Sequence, residues 1–271
     1  MKKNISLVIL LIVLTKLHAQ RAPLPVAKHK FIVIAHRGDH ILVPENTIAA
    51  YENGIKNGVD FVEIDLRTTK DSVLVIMHDA TVDRMTNGKG KISDLTHAEL
   101  KKLQVIDKTK DTTAIYRIPT FEEVLKTCRN KVYIYLDYKD ANVLQAYHLI
   151  KQYGMEKQII VYINSPAQYT EWRKRFPTIP LMLSLPENVK TEEQLHQFLK
   201  ETPVDLLDGD YSDYMPVVLS AATKAGINVW PDIQGKDEEK NWNFALEMGF
   251  KGLQTDHPAA LIGYLKKKGL R

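Results

Sequence analysis

The chain has 271 residues, with 37 lysines and arginines against 33 aspartates and glutamates, and its net charge is +4. Three of the lysines lie in the first nineteen residues, which hold no acid, so the remaining 252 residues carry a net charge of only +1. A charge this close to zero argues against nucleic acid as a partner, and 252 residues suit two ordinary domains or one α/β barrel.

The first nineteen residues have the layout of a secretory signal peptide. Two lysines follow Met1, an apolar run comes next, and the segment ends in Leu17-His18-Ala19. The apolar run is too short to span a bilayer core of roughly 30 Å, which argues against a membrane anchor. We therefore predict cleavage after Ala19, export across the inner membrane, a periplasmic location and no stable membrane insertion.

From residue 31 onward, short runs rich in valine, isoleucine, leucine and tyrosine alternate with longer segments of helical period. This alternation is the signal of parallel βα units. The predicted strands are FIVIAH (31–36), VDFVEIDL (59–66), KVYIYLDY (131–138), QIIVYIN (158–164), PLMLSL (180–185), VDLLDG (204–209), INVWPDI (227–233) and KGLQTD (251–256). Eight strands, each followed by a helix, predict a closed (β/α)₈ TIM barrel rather than an open doubly wound sheet. No Pro/Gly/Ser-rich linker interrupts residues 20–271, so we interpret them as one domain.

The alternation fails in one place, after the second strand. A further strand-like run, SVLVIMHD (72–79), follows after a turn too short for a parallel crossover, which predicts a hairpin. The segment that comes next, about residues 80–118, carries turn signals and a short helix and is interpreted as an insertion. In a barrel the loops after the strands build the active site, so we expect the insertion to lie over the mouth.

Charged residues stand at the carboxyl ends of the first three predicted strands. Glu63 and Asp65 lie on the second strand and Asp137 on the third, and alternation along a strand turns Glu63 and Asp65 to the same side. Three carboxylates in one barrel mouth would repel one another unless a positive charge lay between them. Ca²⁺ or Mg²⁺, which prefer oxygen ligands, is the expected cofactor.

The hairpin predicts a partner for this carboxylate cluster. If Lys70 and Asp71 are the two central residues of the turn, His78 lies opposite Glu63. Directly opposed residues share a face of the sheet, so His78 should stand beside the carboxylates. Asp79 follows it and is expected either to orient His78 or to cap the next turn.

A set of motifs carries a resemblance to a known family. They are AHRG (35–38), PENT (44–47), EIDL (63–66), HDATVDRMTNGKGKISDLT (78–96), IPTFEEVL (118–125), LDYK (136–139) and GLQTDHP (252–258). In order and spacing they closely resemble the glycerophosphodiester phosphodiesterase family. The resemblance implies a TIM barrel and metal-dependent hydrolysis of small-molecule glycerophosphodiesters to sn-glycerol 3-phosphate and an alcohol. It implies no protein partner.

The resemblance also assigns the reacting groups. The family's general acid/base histidine pair falls on His36 and His78, and its metal ligands fall on Glu63, Asp65 and Asp137. The third acid is usually a glutamate in the family and here is an aspartate, one methylene shorter, which leaves the identity of the metal open. We expect His36 to be the general acid and His78 the general base. The attacking oxygen is either the glycerol 2-hydroxyl or water.

Further positions match substrate contacts of the family. Arg37 and Lys139 match its phosphate-binding cations, which would offset charge on the phosphate oxygens. Glu45 and Asn46 belong to the PENT signature at the rim of the mouth. Trp230, at the end of the seventh predicted strand, is another candidate for substrate binding, with core packing as the alternative.

The run LDGDYSDY (207–214) resembles the start of a calcium loop. Counted from Asp208, however, position twelve is Leu219, where such a loop needs a glutamate. We therefore interpret its acids as residues of the barrel rim that are able to touch the substrate alcohol.

Two other functions remain as alternatives. One is a related barrel enzyme with another substrate, such as a lysophospholipase D or a phospholipase C-like enzyme of phosphoinositides, which would need an apolar rim for an acyl chain. The other is a barrel without catalysis that serves as a binding protein, which predicts the loss of a histidine or an acid. None of the five residues is missing.

Overall fold

The computed structural model describes residues 21–110 and 113–271. The predicted signal peptide, residues 1–19, lies outside the described residues. Within the described part, no helix has both the length and the apolar character that crossing a membrane requires.

Nine strands and nine α-helices follow one another along the described chain. The strands are β1 (Ile32–Ala35), β2 (Phe61–Thr68), β3 (Leu74–Ile76), β4 (Tyr133–Tyr138), β5 (Ile159–Ile163), β6 (Leu181–Ser184), β7 (Leu206–Asp208), β8 (Asn228–Val229) and β9 (Gly252–Thr255). The helices are α1 (Ile48–Asn57), α2 (His97–Leu100), α3 (Phe121–Cys128), α4 (Val143–Gln152), α5 (Pro166–Arg175), α6 (Glu192–Glu201), α7 (Pro216–Lys224), α8 (Glu239–Met248) and α9 (Pro258–Lys267).

Eight of the strands form a parallel barrel in the order β8-β7-β6-β5-β4-β2-β1-β9. Strands β8 and β9 meet through Asp232, which forms parallel bridges to Asp210 and Gln254. The amide of Asp232 donates to Gly209 O at 2.8 Å, and the amide of Gln254 donates to Pro231 O at 3.0 Å. The predicted (β/α)₈ barrel is thereby confirmed.

Local sequence explains where the helices begin and end. Thr120 and Thr191 each form a capping box with the third residue of the helix, and α1 and α8 end at Gly58 and Gly249 in the left-handed conformation. A large apolar core fills the space between strands and helices.

A second, smaller core fills the barrel interior below the mouth. It consists of Ile32, Ile34, Phe61, Tyr135, Ile160, Met182, Leu206 and Trp230. These side chains alternate along their strands with those that face the helices, as expected for a barrel filled by layers of side chains. The site described below therefore lies on top of a packed apolar floor.

The predicted register of the hairpin is wrong by one residue. Strands β2 and β3 pair with Leu66 opposite Ile76, so the residue in register with Glu63 would not be His78. The turn is one residue longer than expected because Ser72 adopts a left-handed conformation, with φ 63°, and joins the turn. The proximity of His78 to the carboxylates thus has another cause, which lies in the loop after β3.

Residues 80–118 form the expected insertion between β3 and α3. The insertion packs against β3 and Met77, the residue after β3. Together they form a third apolar cluster, made of Val75, Met77, Val82, Met85, Ile92, Leu100, Val105 and Ile118. Arg84 of this insertion reaches Glu45 of the loop after β1 at 2.7 Å. The insertion therefore contacts one side of the barrel mouth.

Candidate active site

The three acids of the predicted metal site lie together at the carboxyl ends of β2 and β4. Asp65 is the direct neighbour of Asp137 across the two strands, and one oxygen from each of Glu63, Asp65 and Asp137 lies within 4.8 Å of the other two. Glu63 and Asp65 are almost completely buried, with exposures of 2% and 1%. The structure therefore brings the three predicted metal ligands together.

Nearby donors hold two of the carboxylates in place. Asn46 donates to Asp65 Oδ2 at 2.7 Å, and Asn164 donates to Asp137 Oδ1 at 2.7 Å. Lys139 Nζ lies 3.1 Å from Asp65 Oδ1 and 2.5 Å from Asp137 Oδ2, between the two acids. The lysine thus offsets part of the negative charge in the cluster.

The negative charge that Lys139 does not offset affects the pKa values of the three acids. Burial raises the pKa of Glu63 well above its usual range, and the neighbouring acids raise it further; burial and Asp65 likewise raise the pKa of Asp137. Burial acts in the same direction on Asp65, but Lys139 and other cations outweigh it and lower its pKa. Of the three acids, only Asp65 has enough positive charge nearby to lower its pKa.

A divalent cation fits this donor set. Asp65 Oδ1 is buried without a hydrogen-bond partner, although Lys139 lies near it as an ion pair. All three candidate ligands offer carboxylate oxygens, which are the ligands that Ca²⁺ and Mg²⁺ prefer. Glu63, Asp65 and Asp137 are the residues that could hold such an ion.

His36 lies at the end of β1 and is oriented from the neighbouring strand β9. Its Nδ1 is 2.7 Å from Asp256 Oδ1, and Asp256 Oδ2 accepts from the Gly235 amide at 3.0 Å. Burial lowers the pKa of His36, and the Asp256 bond opposes this effect. Burial by itself would raise the pKa of Asp256, but the hydrogen bond to His36 and the charges nearby outweigh this effect and lower the pKa to about 2. His36 therefore has an ionised partner on Nδ1.

His78 has a partner of its own, contributed by the next residue. Its Nδ1 lies 2.8 Å from Asp79 Oδ1, so Asp79 orients the ring. Arg84 donates to Asp79 Oδ2 at 2.7 Å, and chiefly this bond lowers the pKa of Asp79. Arg67 donates to the His78 carbonyl at 2.6 Å. These contacts, and not pairing between strands, place His78 in the mouth.

The backbone after His36 is bent sharply so that it serves the carboxylate cluster. Arg37 has φ 52°, and its amide donates to Glu63 Oε2 at 2.7 Å. Gly38, at φ 80°, has no room for a side chain, since a Cβ there would lie 2.8 Å from the carbonyl carbon of Ala50. The glycine thus allows α1 to pack closely against the turn.

Two of the expected substrate contacts, Glu45 and Asn46, have hydrogen-bond or ion-pair partners within the protein. Asn46 is buried and lies between Asp65 and Tyr51. The Tyr51 hydroxyl donates to Asn46 Oδ1 at 2.8 Å. Glu45 is held by Arg37 at 3.0 Å and by Arg84 at the rim. The assignment of Trp230 as a substrate contact is not supported by its position.

Trp230 lies in the core of the barrel interior. It is only 5% exposed, packs on Phe61 with ring centroids 5.3 Å apart, and fills the space left by Gly252. It is absent from the lining of the mouth cavity. Side chains alternate in direction along the strand, and the position of Trp230 in this alternation turns it toward the barrel interior. The sequence prediction did not resolve this direction.

The mouth encloses a cavity of about 210 Å³ whose lining falls into two groups. The first group is His36, Arg37, His78 and the three acids, and the second is Tyr135, Tyr162, Asp208, Asp232, Gln234 and Gln254. The sequence did not identify Asp256, Arg84, Asn164 or most of the second group of lining residues. Asp256 is the last residue of the predicted strand KGLQTD (251–256), which was a usable signal.

A family model described as "Glycerophosphoryl diester phosphodiesterase family" matches residues 36–260, which include both histidines and the three acids. The chain belongs to the glycerophosphodiester phosphodiesterase family. The family resemblance of the motifs is thereby confirmed, and with it the assignment of the chain as a phosphodiesterase.

Relatives of this phosphodiesterase match it along most of its length. It is 33% identical over 247 residues to the glycerophosphodiester phosphodiesterase of Caldanaerobacter subterraneus subsp. tengcongensis, which covers 89% of this chain and 100% of that protein. It is 28% identical over 244 residues to the glycerophosphodiester phosphodiesterase of Bacillus altitudinis, covering 83% of this chain and 94% of that one.

Solved structures share the barrel of this phosphodiesterase. A glycerophosphoryl diester phosphodiesterase from Parabacteroides distasonis superposes with a TM-score of 0.75 at 24% identity, covering 90% of both chains. An Oleispira antarctica phosphodiesterase, solved in complex with the product sn-glycerol-3-phosphate, has a TM-score of 0.74 at 22% identity and covers 87% of this chain and 96% of that one. At these identities the likeness concerns the fold.

Proposed function

We propose that this chain hydrolyses glycerophosphodiesters to sn-glycerol 3-phosphate and an alcohol, with a divalent cation at Glu63, Asp65 and Asp137. The observation that carries the proposal is one shared cavity. His36 and His78 line it, each with a carboxylate on Nδ1, and the three acids line the same cavity. The names of the relatives support the substrate class.

The bound cation would offset negative charge on the phosphate as the reaction proceeds. Ca²⁺ and Mg²⁺ both suit ligands that are all oxygen. Arg37 and Lys139 lie at the same end of the cavity as the three acids and add fixed positive charge for the non-bridging oxygens of the phosphate.

The two histidines divide the proton transfers between them. Because Nδ1 of each ring is engaged by a carboxylate, Nε2 is the atom that exchanges protons with the substrate. We propose that His78 takes the proton of the attacking hydroxyl while the new bond to phosphorus forms. His36 donates a proton to the alcohol oxygen as its bond to phosphorus breaks. If the attacking group is water, this step gives sn-glycerol 3-phosphate directly. If it is the glycerol 2-hydroxyl, the step gives a cyclic phosphate, and water then opens it by attack on phosphorus while the bond from phosphorus to the 2-oxygen breaks and that oxygen takes up a proton.

The test is release of sn-glycerol 3-phosphate from a panel of glycerophosphodiesters, with and without chelator. We expect His36→Ala and His78→Ala to lower kcat by about 10²- to 10⁴-fold, the usual contribution of general acid/base catalysis. His148→Ala, which replaces an exposed histidine of α4, is the matched control and should keep the wild-type rate. Wild-type rates in either active-site variant would refute the histidine pair, and full activity in chelator would refute the metal.

We also propose that the protein is exported to the periplasm. The support is the leader pattern of residues 1–19 in the sequence. N-terminal sequencing of the protein from a periplasmic fraction should find Gln20 as the first residue. A protein that retains Met1 and stays in the cytoplasmic fraction would contradict the proposal.

A further inference from the structure

The part of the cavity around Asp208 and Asp232, across the barrel from the strands of the three acids, is rich in acceptors, and none of the described residues that line this part is a cation. It is lined by Tyr135 from β4, Tyr162 from β5, Asp208 from β7, Asp232 beside β8 and Gln254 from β9, with Gln234 at its edge. Arg37 and Lys139 belong to the other side, where they pair with acids of the candidate metal site.

Asp208 lies at the bottom of this side and is only 1% exposed. Its Oδ2 accepts a hydrogen bond from the Tyr135 hydroxyl, whereas its Oδ1 is buried without a hydrogen-bond partner. A buried carboxylate oxygen without a donor is costly, since it has lost its water and gained nothing in return. This oxygen is therefore an unused acceptor on a residue that lines the cavity.

Gln254 provides a second unused acceptor in the same wall. Its Nε2 donates to Asp232 Oδ1, which fixes the amide group and turns its Oε1 away from Asp232. That Oε1 is buried and has no hydrogen-bond partner. Burial raises the pKa of Asp232 to about 7, as expected for a carboxyl that lacks a nearby cation.

We propose that this side binds the alcohol part of the substrate and selects a primary ammonium group, as in glycerophosphoethanolamine. The inference rests on the proposed function, because that function places the phosphate between the histidines and the acids. Of the two arms of the diester, the alcohol arm then extends toward the part of the cavity that Asp208 and Asp232 line. A primary ammonium offers three donors, which match the oxygens of Asp208, Asp232 and Gln254, and its charge offsets the carboxyls of Asp208 and Asp232.

Other occupants match these acceptors less well. A hydroxyl group donates one hydrogen bond and leaves the charge of Asp208 and Asp232 uncompensated. A quaternary ammonium carries charge but has no N–H to donate to the oxygen of Gln254. A second metal ion would find only two carboxylates, each with one oxygen already bonded to Tyr135 or Gln254.

The experiment compares kcat/KM for glycerophosphoethanolamine with that for its N-acetyl derivative, which keeps the shape near the phosphate and removes the charge. Glycerophosphocholine and glycerophosphoglycerol complete the series. We expect the wild type to prefer the ammonium ester at least about tenfold over each of the others, the size expected of hydrogen bonds to charged groups.

The variants Asp208→Asn and Asp232→Asn keep the shape of the side chain and remove its charge. Each should reduce the preference to within about threefold, chiefly by raising KM for the ammonium ester. Asp213→Asn, in the loop after β7 but outside the cavity lining, is the matched control and should keep the preference. Circular dichroism and Tm establish that the variants fold. Asp232 is the less buried of the two acids, so its variant keeps the test decisive if Asp208→Asn does not fold.

The outcomes separate this inference from the proposed function. Equal turnover of all four diesters by the wild type would overturn the ammonium subsite and leave the proposed function standing. Absence of turnover on every glycerophosphodiester would overturn the proposed function and the subsite with it. Three other results would also overturn the subsite. The first is a preference for the ammonium ester that survives in both Asn variants, and the second is a preference for glycerophosphoglycerol. The third is an Asn variant whose metal requirement changes while its substrate preference does not.

Discussion

Asp256 Oδ1 lies 2.7 Å from Nδ1 of His36, although 220 positions separate the two residues in the chain. They meet because β1 and β9 are paired at the closure of the barrel, with Ala35 beside Thr255. Each residue follows its strand directly. The first and last strands of the barrel thus contribute the two halves of one hydrogen-bonded pair.

We expect Asp256→Asn to lower kcat by about 10²-fold or more, because the amide cannot favour the charged form of His36 as the carboxylate does. The loss should fall on kcat rather than KM. Asp237→Asn, an exposed acid of the loop before α8, is the control. An Asp256→Asn variant with wild-type kcat would contradict a role in orienting His36.

The pH profile of Asp256→Asn distinguishes the roles of the two histidines. The bond to Asp256 raises the pKa of His36 against the effect of burial, so its removal lowers that pKa further. If His36 is the general acid, it must be protonated, and the limb where activity falls with rising pH should move to lower pH. Movement of the limb where activity rises with pH would instead make His36 the general base.

Metal binding should be measurable as stabilisation of the protein. At about 100 times its Kd, a cation that binds only the folded state adds about 2.7 kcal/mol to the free energy of unfolding. For a chain of this size that raises Tm by roughly 5–10 °C. We expect Ca²⁺ or Mg²⁺ to produce this shift in the wild type and in the control Asp94→Asn. In Asp137→Asn the shift should be largely lost. A shift that is unchanged in Asp137→Asn would place the cation elsewhere.

Arg84 joins the insertion to the site through Asp79 and Glu45. Arg84→Ala should lower kcat by about tenfold, because Asp79 then no longer holds His78 in one orientation. The free energy of unfolding should fall by no more than about 1 kcal/mol, since Arg84 is partly exposed and solvent screens its ion pairs. Lys89→Ala, at an exposed lysine of the same insertion, is the control. Equal kcat in both variants would show that His78 does not need this support.

Asp208→Asn should stabilise the protein at neutral pH. Burial, with Asp232 nearby, raises the pKa of Asp208 well above its value in the unfolded chain. Stability is therefore greatest below about pH 4 and falls as pH rises toward the folded-state pKa. In urea unfolding we expect the variant to gain about 1–3 kcal/mol at pH 7.5 and almost nothing at pH 4. A destabilised variant at pH 7.5 would contradict uncompensated charge at this position.

The sequence alone was sufficient for the eight parallel strands and for the acids at their ends. Strand and helix patterns are local, because side-chain period and glycine stops are read within a few residues. Export stays a prediction from residues 1–19. The hairpin register failed because one residue, Ser72, adopted a left-handed conformation and lengthened the turn, and the preference of a serine for that conformation is too weak to be read from its neighbours.

Only the tertiary structure decided which groups surround the site. Asp256 reaches His36 through closure of the barrel, Asn46 turns inward to Asp65, and Trp230 fills the barrel interior instead of the mouth. The acceptors of Asp208 and Gln254 converge from two strands that are distant in the chain. These relationships depend on the relative shift of neighbouring strands and on which layer of the barrel each side chain enters. The local sequence determines the strands and the chemistry at their ends, and barrel closure determines which of those ends meet.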